Sequence, residues 1–251
     1  MIILAAAAAF ALAASPAAAR PPRPTMAVTP ARLALAGGSS ATVHLASAAT
    51  AVVDAQATGL AVDLRGRPRV ASPGDAASWL EVAPRHFTVR PASGAGISVT
   101  AKPPPEARPG DHVALLLLTT RPSSSSSGVA VRVRIGIVVT VRVPGKLVRR
   151  LVVERIRLRR RARERVIEVD LANRGNVTER LGRGWIAVTL IRRGRVLARL
   201  SSLPRDLLPL SRGRADLVYR GAARGWVRAL IELGPHRRGA HTVRRSVRLR
   251  L

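Results

Sequence analysis

Apolar and polar positions alternate along most of this chain with the period of two that a half-buried β-strand imposes. The clearest case covers 131–143. There the odd positions are all Val or Ile, and the even ones include Arg132, Arg134, Thr140 and Arg142. A helix would scatter those apolar residues around a cylinder, whereas a strand gathers them on one face. Similar segments lie at 28–35, 41–46, 52–64, 79–82, 86–90, 97–101 and 112–120. Beyond Pro144 and Gly145 the pattern resumes at 147–158, 166–172, 185–191, 196–200, 216–219, 226–233 and 242–251. Turn chemistry separates them: Gly37-Gly38, the polyserine run 123–127, Asn173 to Asn176, and Arg192-Arg193-Gly194-Arg195, which reads as a hairpin tip. The stretch 65–78 reads as a loop, and no segment makes a convincing amphipathic helix.

Two sets of about seven short strands with regular turn signals predict an all-β chain of two tandem immunoglobulin-like β-sandwiches. The boundaries expected are a signal peptide at 1–19, a Pro/Arg-rich leader at 20–27, one sandwich at 28–143 and a second, arginine-rich one at 144–251. A single large sandwich is the alternative.

Residues 1–19 carry no charge, and 2–14 have the length of a signal-peptide hydrophobic region. Pro16 breaks that run, and Ala17, Ala18 and Ala19 place small residues before Arg20. Export to the periplasm, cell surface or medium is therefore expected, with retention of the segment as an anchor as the competing reading. No later segment is apolar for long enough to span a bilayer. The chain has no Cys, which excludes disulfides, thiolate metal sites and cysteine nucleophiles.

The formal charge is +29, and only Lys102 and Lys146 among the 43 basic residues are lysines. The excess is uneven: residues 1–143 hold 14 basic and 6 acidic side chains (+8), residues 144–251 hold 29 and 8 (+21). Nucleic acid is a natural partner for such charge. Export argues against it, as does the scarcity of stacking aromatics. Trp79, Phe87, Trp185, Tyr219 and Trp226 all sit in strand-like segments and are expected in the core.

The stretches VTPARLAL at 28–35 and GGSSATV at 37–43 resemble the opening strands of immunoglobulin-like domains in periplasmic pilus chaperones. WLEVAP at 79–84, FTV at 87–89 and PEARPGD at 105–111 resemble a pattern in the peptidoglycan-binding domain of bacterial WxL-interacting surface proteins. VDLANRGNV at 169–177 is similar to a strand and turn of that family's second domain, and LP at 203–204 with LLPL at 207–210 also fits. The family's C-terminal membrane helix and basic tail have no counterpart here. The basic pair with which pilus chaperones hold a subunit's C-terminal carboxylate is not assignable from sequence.

Catalytic residues and cofactors are not expected. His44, His86, His112, His236 and His241 are dispersed without metal-binding spacing, and no serine elbow or phosphate loop exists. The acids stand singly, mostly beside arginine, unlike a general acid/base pair. The densest charge is at Arg157, Arg159, Arg160, Arg161, Arg163 and Arg165, expected at a hairpin tip as an anionic-surface contact. Coding bias that fills surface positions with arginine competes with that reading. The function expected is that of an exported, non-enzymatic bacterial envelope binding or adaptor protein, contacting an anionic cell-wall or other surface polymer or another envelope protein. A pilus-type chaperone acting by strand addition is the first alternative; an enzyme with a site between the domains is the second.

Overall fold

The structure, a computed structural model, describes residues 26–121, 132–161, 164–183, 185–234 and 243–251. The expected signal peptide, leader and polyserine loop lie outside these residues. The strands in chain order begin with β1 (Met26–Thr29), β2 (Arg32–Ala36), β3 (Ser40–Ser47), β4 (Ala51–Val62) and β5 (Pro68–Ala71). A one-turn helix α1 (Asp75–Ser78) precedes β6 (Leu80–Ala83), β7 (His86–Val89), β8 (Ala95–Ala101), β9 (Gly110–Thr120) and β10 (Arg134–Val143).

These elements form two facing sheets. One has the order β1-β3-β8-β6, the other β2-β10-β9-β4-β5, with β7 also on β4. Between them lies a core that includes Val43, Leu45, Ile97, Leu116, Leu118, Ile137 and Val139. Burying each such side chain contributes about 2 kcal/mol, which explains why the alternation is so regular.

The expected strand 28–35 is two strands. Pro30 has no N–H to give a ladder, and the chain crosses there from one sheet to the other. The expected loop 65–78 holds β5 and α1, which are too short for periodicity to reveal. Ala76 and Ala77 of α1 are nonetheless buried in the core.

The second set comprises β11 (Leu151–Arg161), β12 (Glu164–Asn173), β13 (Glu179–Leu181), β14 (Ile186–Arg192) and β15 (Arg195–Ser201). It continues with β16 (Arg205–Leu207), β17 (Arg212–Tyr219), β18 (Trp226–Leu233) and β19 (Val243–Arg250). The sheets run β11-β12-β17 and β15-β14-β18-β19, with β13 and β16 as a separate pair. Ile167, Leu171, Ile186, Leu190, Leu217 and Ile231 lie in a second buried cluster between them. The chain is thus all-β, built as two immunoglobulin-like sandwiches. Among the described residues no helix is long and apolar enough to cross a membrane.

The expected strand 147–158 starts only at Leu151 because the preceding backbone is bonded elsewhere. Val148 donates its N–H to Asn176 Oδ1 at 2.6 Å and accepts the Asn176 N–H at 3.0 Å. Of the aromatics expected in the core, Tyr219 is buried and Trp79, Phe87 and Trp185 are partly so. Trp226 is 58% exposed, because it shares its parity with Arg228 and not with buried Val227 and Ala229.

Candidate functional site: the elbow cleft and the edge of β10

The two sandwiches meet at an elbow held by hydrogen bonds around Asn176 and by ion pairs. The Asn176 side-chain amide donates to Pro109 O at 2.8 Å and Lys146 O at 2.9 Å. The backbone N–H of Asp111 donates to Asn176 O at 2.7 Å, and that of Thr178 donates to Asp111 Oδ2, also at 2.7 Å. Gly110 and Gly145 flank the contact with φ of 130° and 127°, a region that favours glycine. A Cβ on Gly110 would collide with the Asn176 carbonyl, and one on Gly145 would lie 2.6 Å from Pro109 Cγ. A second contact lies on β17, where Leu64 O accepts the Arg214 N–H at 2.5 Å and Arg65 pairs with Asp216 at 3.6 Å.

The elbow encloses a cleft of about 1190 Å³. Its first wall is β2 with Val138 and Thr140 of β10; Leu151, Trp185 and Leu233 supply apolar surface from the other side. Five arginines line it, three of them committed to acids. Arg142 grips Asp111 with bonds of 2.6 and 3.0 Å, Arg149 bonds Glu179 at 2.9 Å, and Arg32 pairs with Asp206 across the elbow. Burial pushes the Asp111 carboxyl up, but Arg142 and the Thr178 N–H outweigh it and hold it below its ordinary range. Arg150 and Arg180 are exposed and have no acid within ion-pair distance among the described residues.

Beside the cleft, β10 is covered unevenly. On one side β9 pairs with its whole length, Arg134 to Val143. On the other, β2 pairs in parallel only with Val138 to Arg142. Arg134 to Ile137 therefore present an open ladder edge among the described residues, with Ile135 half-buried and Arg134 exposed. Native proteins seldom leave such an edge free without a reason.

The six arginines expected to act together are placed differently. Arg157, Arg159 and Arg160 lie within β11, since that strand runs to Arg161 and leaves a shorter tip than expected. Arg157 pairs with Asp170 at 3.1 Å, and Arg159 with buried Glu168 at 3.4 Å. Arg165, on β12, donates to Ala223 O at 2.6 Å and lies 5.9 Å from the Tyr219 ring centroid. Arg160 is exposed with no acid in reach among the described residues. Arg161 contributes its backbone to the last rung, while its side chain and Arg163 lie outside the described residues. Arg32, Arg142, Asp111 and Asn176 were not singled out as site residues in the sequence. Their signals were the PGD run at 109–111 and the Asn-Arg-Gly-Asn turn, which read as turn chemistry alone.

Of the histidines, His44 is exposed on the sheet surface. His112 packs on Trp79 at 4.6 Å between centroids and reaches Arg108 O at 2.8 Å. His86 Nδ1 lies 2.5 Å from Asp54, which Arg121 also holds with paired bonds. Arg121 first, and then His86, lower the Asp54 pKa to about 2. His236 and His241 lie outside the described residues. No group of three or more His, Cys, Asp or Glu that could hold a metal ion occurs among the described residues.

No family model matches the chain, and no curated protein matches it in sequence. Solved structures do match in fold. The class 5 fimbriae chaperone CfaA superimposes with a TM-score of 0.50 at 11% identity, covering 88% of this chain and 98% of its own. A chaperone–tip adhesin complex of CFA/I fimbriae gives 0.50 and 11%, with coverages of 83% and 94%. The Escherichia coli chaperone DraB gives 0.47 at 13%, covering 82% and 90%. The two likenesses at 0.50 concern the fold alone, and no comparison supports the resemblance to WxL-interacting surface proteins.

Proposed function

We infer that the chain is an exported, non-catalytic chaperone-type protein that holds another envelope protein by adding a strand to its first sandwich. One observation carries this reading: the half-open edge of β10 beside a large cleft. An extended segment of a partner can take its main-chain hydrogen bonds from Arg134 to Ile137, with pockets for alternate side chains supplying selectivity. The adjoining cleft offers Arg150 and Arg180, the guanidiniums not already bound to acids, to a carboxylate of the same partner. Two solved neighbours of this fold are described as a fimbriae chaperone and a chaperone–tip adhesin complex, which supports the choice. This reading replaces the anionic-polymer adaptor as the leading one. Contact of the β11–β12 hairpin with an anionic envelope polymer stands as a separate proposal, with Arg160 the uncommitted member among its described side chains.

Because the chain has no Cys, single thiols can report the partner's position. Arg134→Cys, carrying a short photo-crosslinker, should capture an envelope protein in the producing cell. Arg69→Cys on the far edge strand β5 should not. Equal capture at both positions, or none at Arg134→Cys, would refute strand addition at β10.

A further inference from the structure

The outer face of the β15-β14-β18-β19 sheet carries arginines that no acid among the described residues answers. Register places Trp226 opposite Arg250, Arg228 opposite Arg248, Leu230 opposite Ser246 and Glu232 opposite Arg244. The alternate residues Val227, Ala229, Ile231 and Leu249 are buried, so the named set shares the solvent side. Strand β14 adds Ile191 beside Arg228, and β15 adds Arg199 beside Thr189. Arg199, Arg228, Arg248 and Arg250 are all exposed, and none has an acid within ion-pair distance among the described residues. The face's one acid, Glu232, is occupied by Arg244 at 3.0 Å.

Two features select the ligand. Neighbouring strands lie about 4.8 Å apart and alternate residues about 6.8 Å apart, so the guanidiniums form a flat array and not a groove. Trp226 stands at its margin with the Arg248 guanidinium 5.6 Å from its ring centroid, and Val196 is 51% exposed alongside Ile191. A groove would suit a polymer chain. A flat array of phosphate-binding forks beside an exposed tryptophan suits the headgroup layer of an anionic bilayer, where indole rings settle.

We propose that this face docks the protein on a membrane surface rich in anionic phospholipid. The proposal is independent of what occupies β10. Each basic residue near such a surface favours binding about fivefold, so loss of three should weaken it about a hundredfold.

The test uses the full chain and vesicles of equal parts phosphatidylglycerol and phosphatidylcholine, read by co-sedimentation against vesicles of phosphatidylcholine alone. The combined variant Arg228→Ser, Arg248→Ser, Arg250→Ser should lose about a hundredfold in partitioning. A charge-matched control, Arg69→Ser, Arg85→Ser, Arg90→Ser on the first sandwich, should lose far less. The apolar N-terminal segment is common to all variants, so the differences isolate the face. If the combined variant melts early, Arg228→Ser alone should still lose about fivefold. Equal losses in the two triple variants would show attraction by net charge alone and overturn the proposal. So would binding that ignores lipid charge, or retention of the protein by soluble polyphosphate but not by vesicles.

Discussion

The two sheets of the second sandwich present equally arginine-rich outer faces with opposite electrostatics. On the β11-β12-β17 face, the central strand supplies Glu168 and Asp170. Arg157, Arg159 and Arg214 gather around Glu168 at 3.9, 3.4 and 3.5 Å, and Arg214 also holds Asp170 at 2.6 Å. The Glu168 side chain is 1% exposed. On the β15-β14-β18-β19 face the corresponding central strands supply Thr189, Leu230 and a single acid at the margin, Glu232. The first face spends its charge inside the fold; the second leaves it for a partner. Arginine count therefore says little about binding until the acids across the strands are located.

Removing the central acid should produce the largest effect. Glu168→Ala strips the shared carboxylate from at least three guanidiniums and should cost about 3 kcal/mol in urea unfolding. Glu232→Ala, on the other face, removes a half-buried carboxylate whose partner, Arg244, is exposed, and should cost about 1 kcal/mol. Similar losses in both variants would erase the distinction between structural and free charge.

Separating the sandwiches should come next. Each encloses its own buried cluster, so fragments 27–143 and 146–251 should each give β-type circular dichroism and a cooperative melt. Fragment 146–251 should melt earlier than the whole chain, because β17 loses Leu64 and Arg65, yet retain the vesicle binding of the opposite face. Failure of both fragments to fold would mean one shared core.

Acid should distinguish the faces more finely. Burial raises the Asp170 pKa, but bonds from Arg214 outweigh it and the net shift is downward. A carboxyl with a lowered folded pKa contributes stability in full above its unfolded value, about 3.9. That contribution is lost as pH falls through the lower folded value. Asp54 and Asp111 act in the same direction in the first sandwich. Asp170→Asn should therefore flatten the decline in melting temperature below pH 4. The Arg228, Arg248, Arg250 variant should follow the wild-type curve, and a flattened curve for it would place acids against that face.

The smallest effect is expected from Arg160→Ser. If the β11–β12 hairpin touches an anionic wall polymer, this exposed residue should account for a severalfold, salt-sensitive loss of binding to isolated walls, with an unchanged melt. Its contribution is on the order of 1 kcal/mol or less. Unchanged wall binding would leave the hairpin as solvated surface.

Much of this architecture is legible in the residues. The parity of 131–143 identifies β10, and the Pro144-Gly145 break marks the elbow. The parity of β18 also puts Trp226 on the exposed side with Arg228, against the expectation of a core tryptophan. What sequence conceals is register. Arg157 meets Glu168 only because β11 and β12 pair at that offset, and Arg214 reaches the same carboxylate from a strand 46 residues further on. The cleft is hidden for the same reason, since Arg142 and Thr178 converge on Asp111 from different sandwiches. The half-open edge of β10 depends on where β2 begins and on the parallel register that sets Arg32 against Val138, and the register is written in no local pattern.

The Asn176 clasp has a consequence for how the molecule behaves in changing surroundings. Its bonds run between an amide and backbone groups, with no net charge on either partner, so dissolved ions have little to screen. Attachment through exposed guanidiniums is the opposite case, fading as the Debye length shrinks from about 8 Å at physiological salt to about 3 Å at 1 M. A rise in salt would weaken attachment to a charged surface and the Arg32–Asp206 and Arg65–Asp216 pairs across the elbow, while the Asn176 bonds themselves stay as they were.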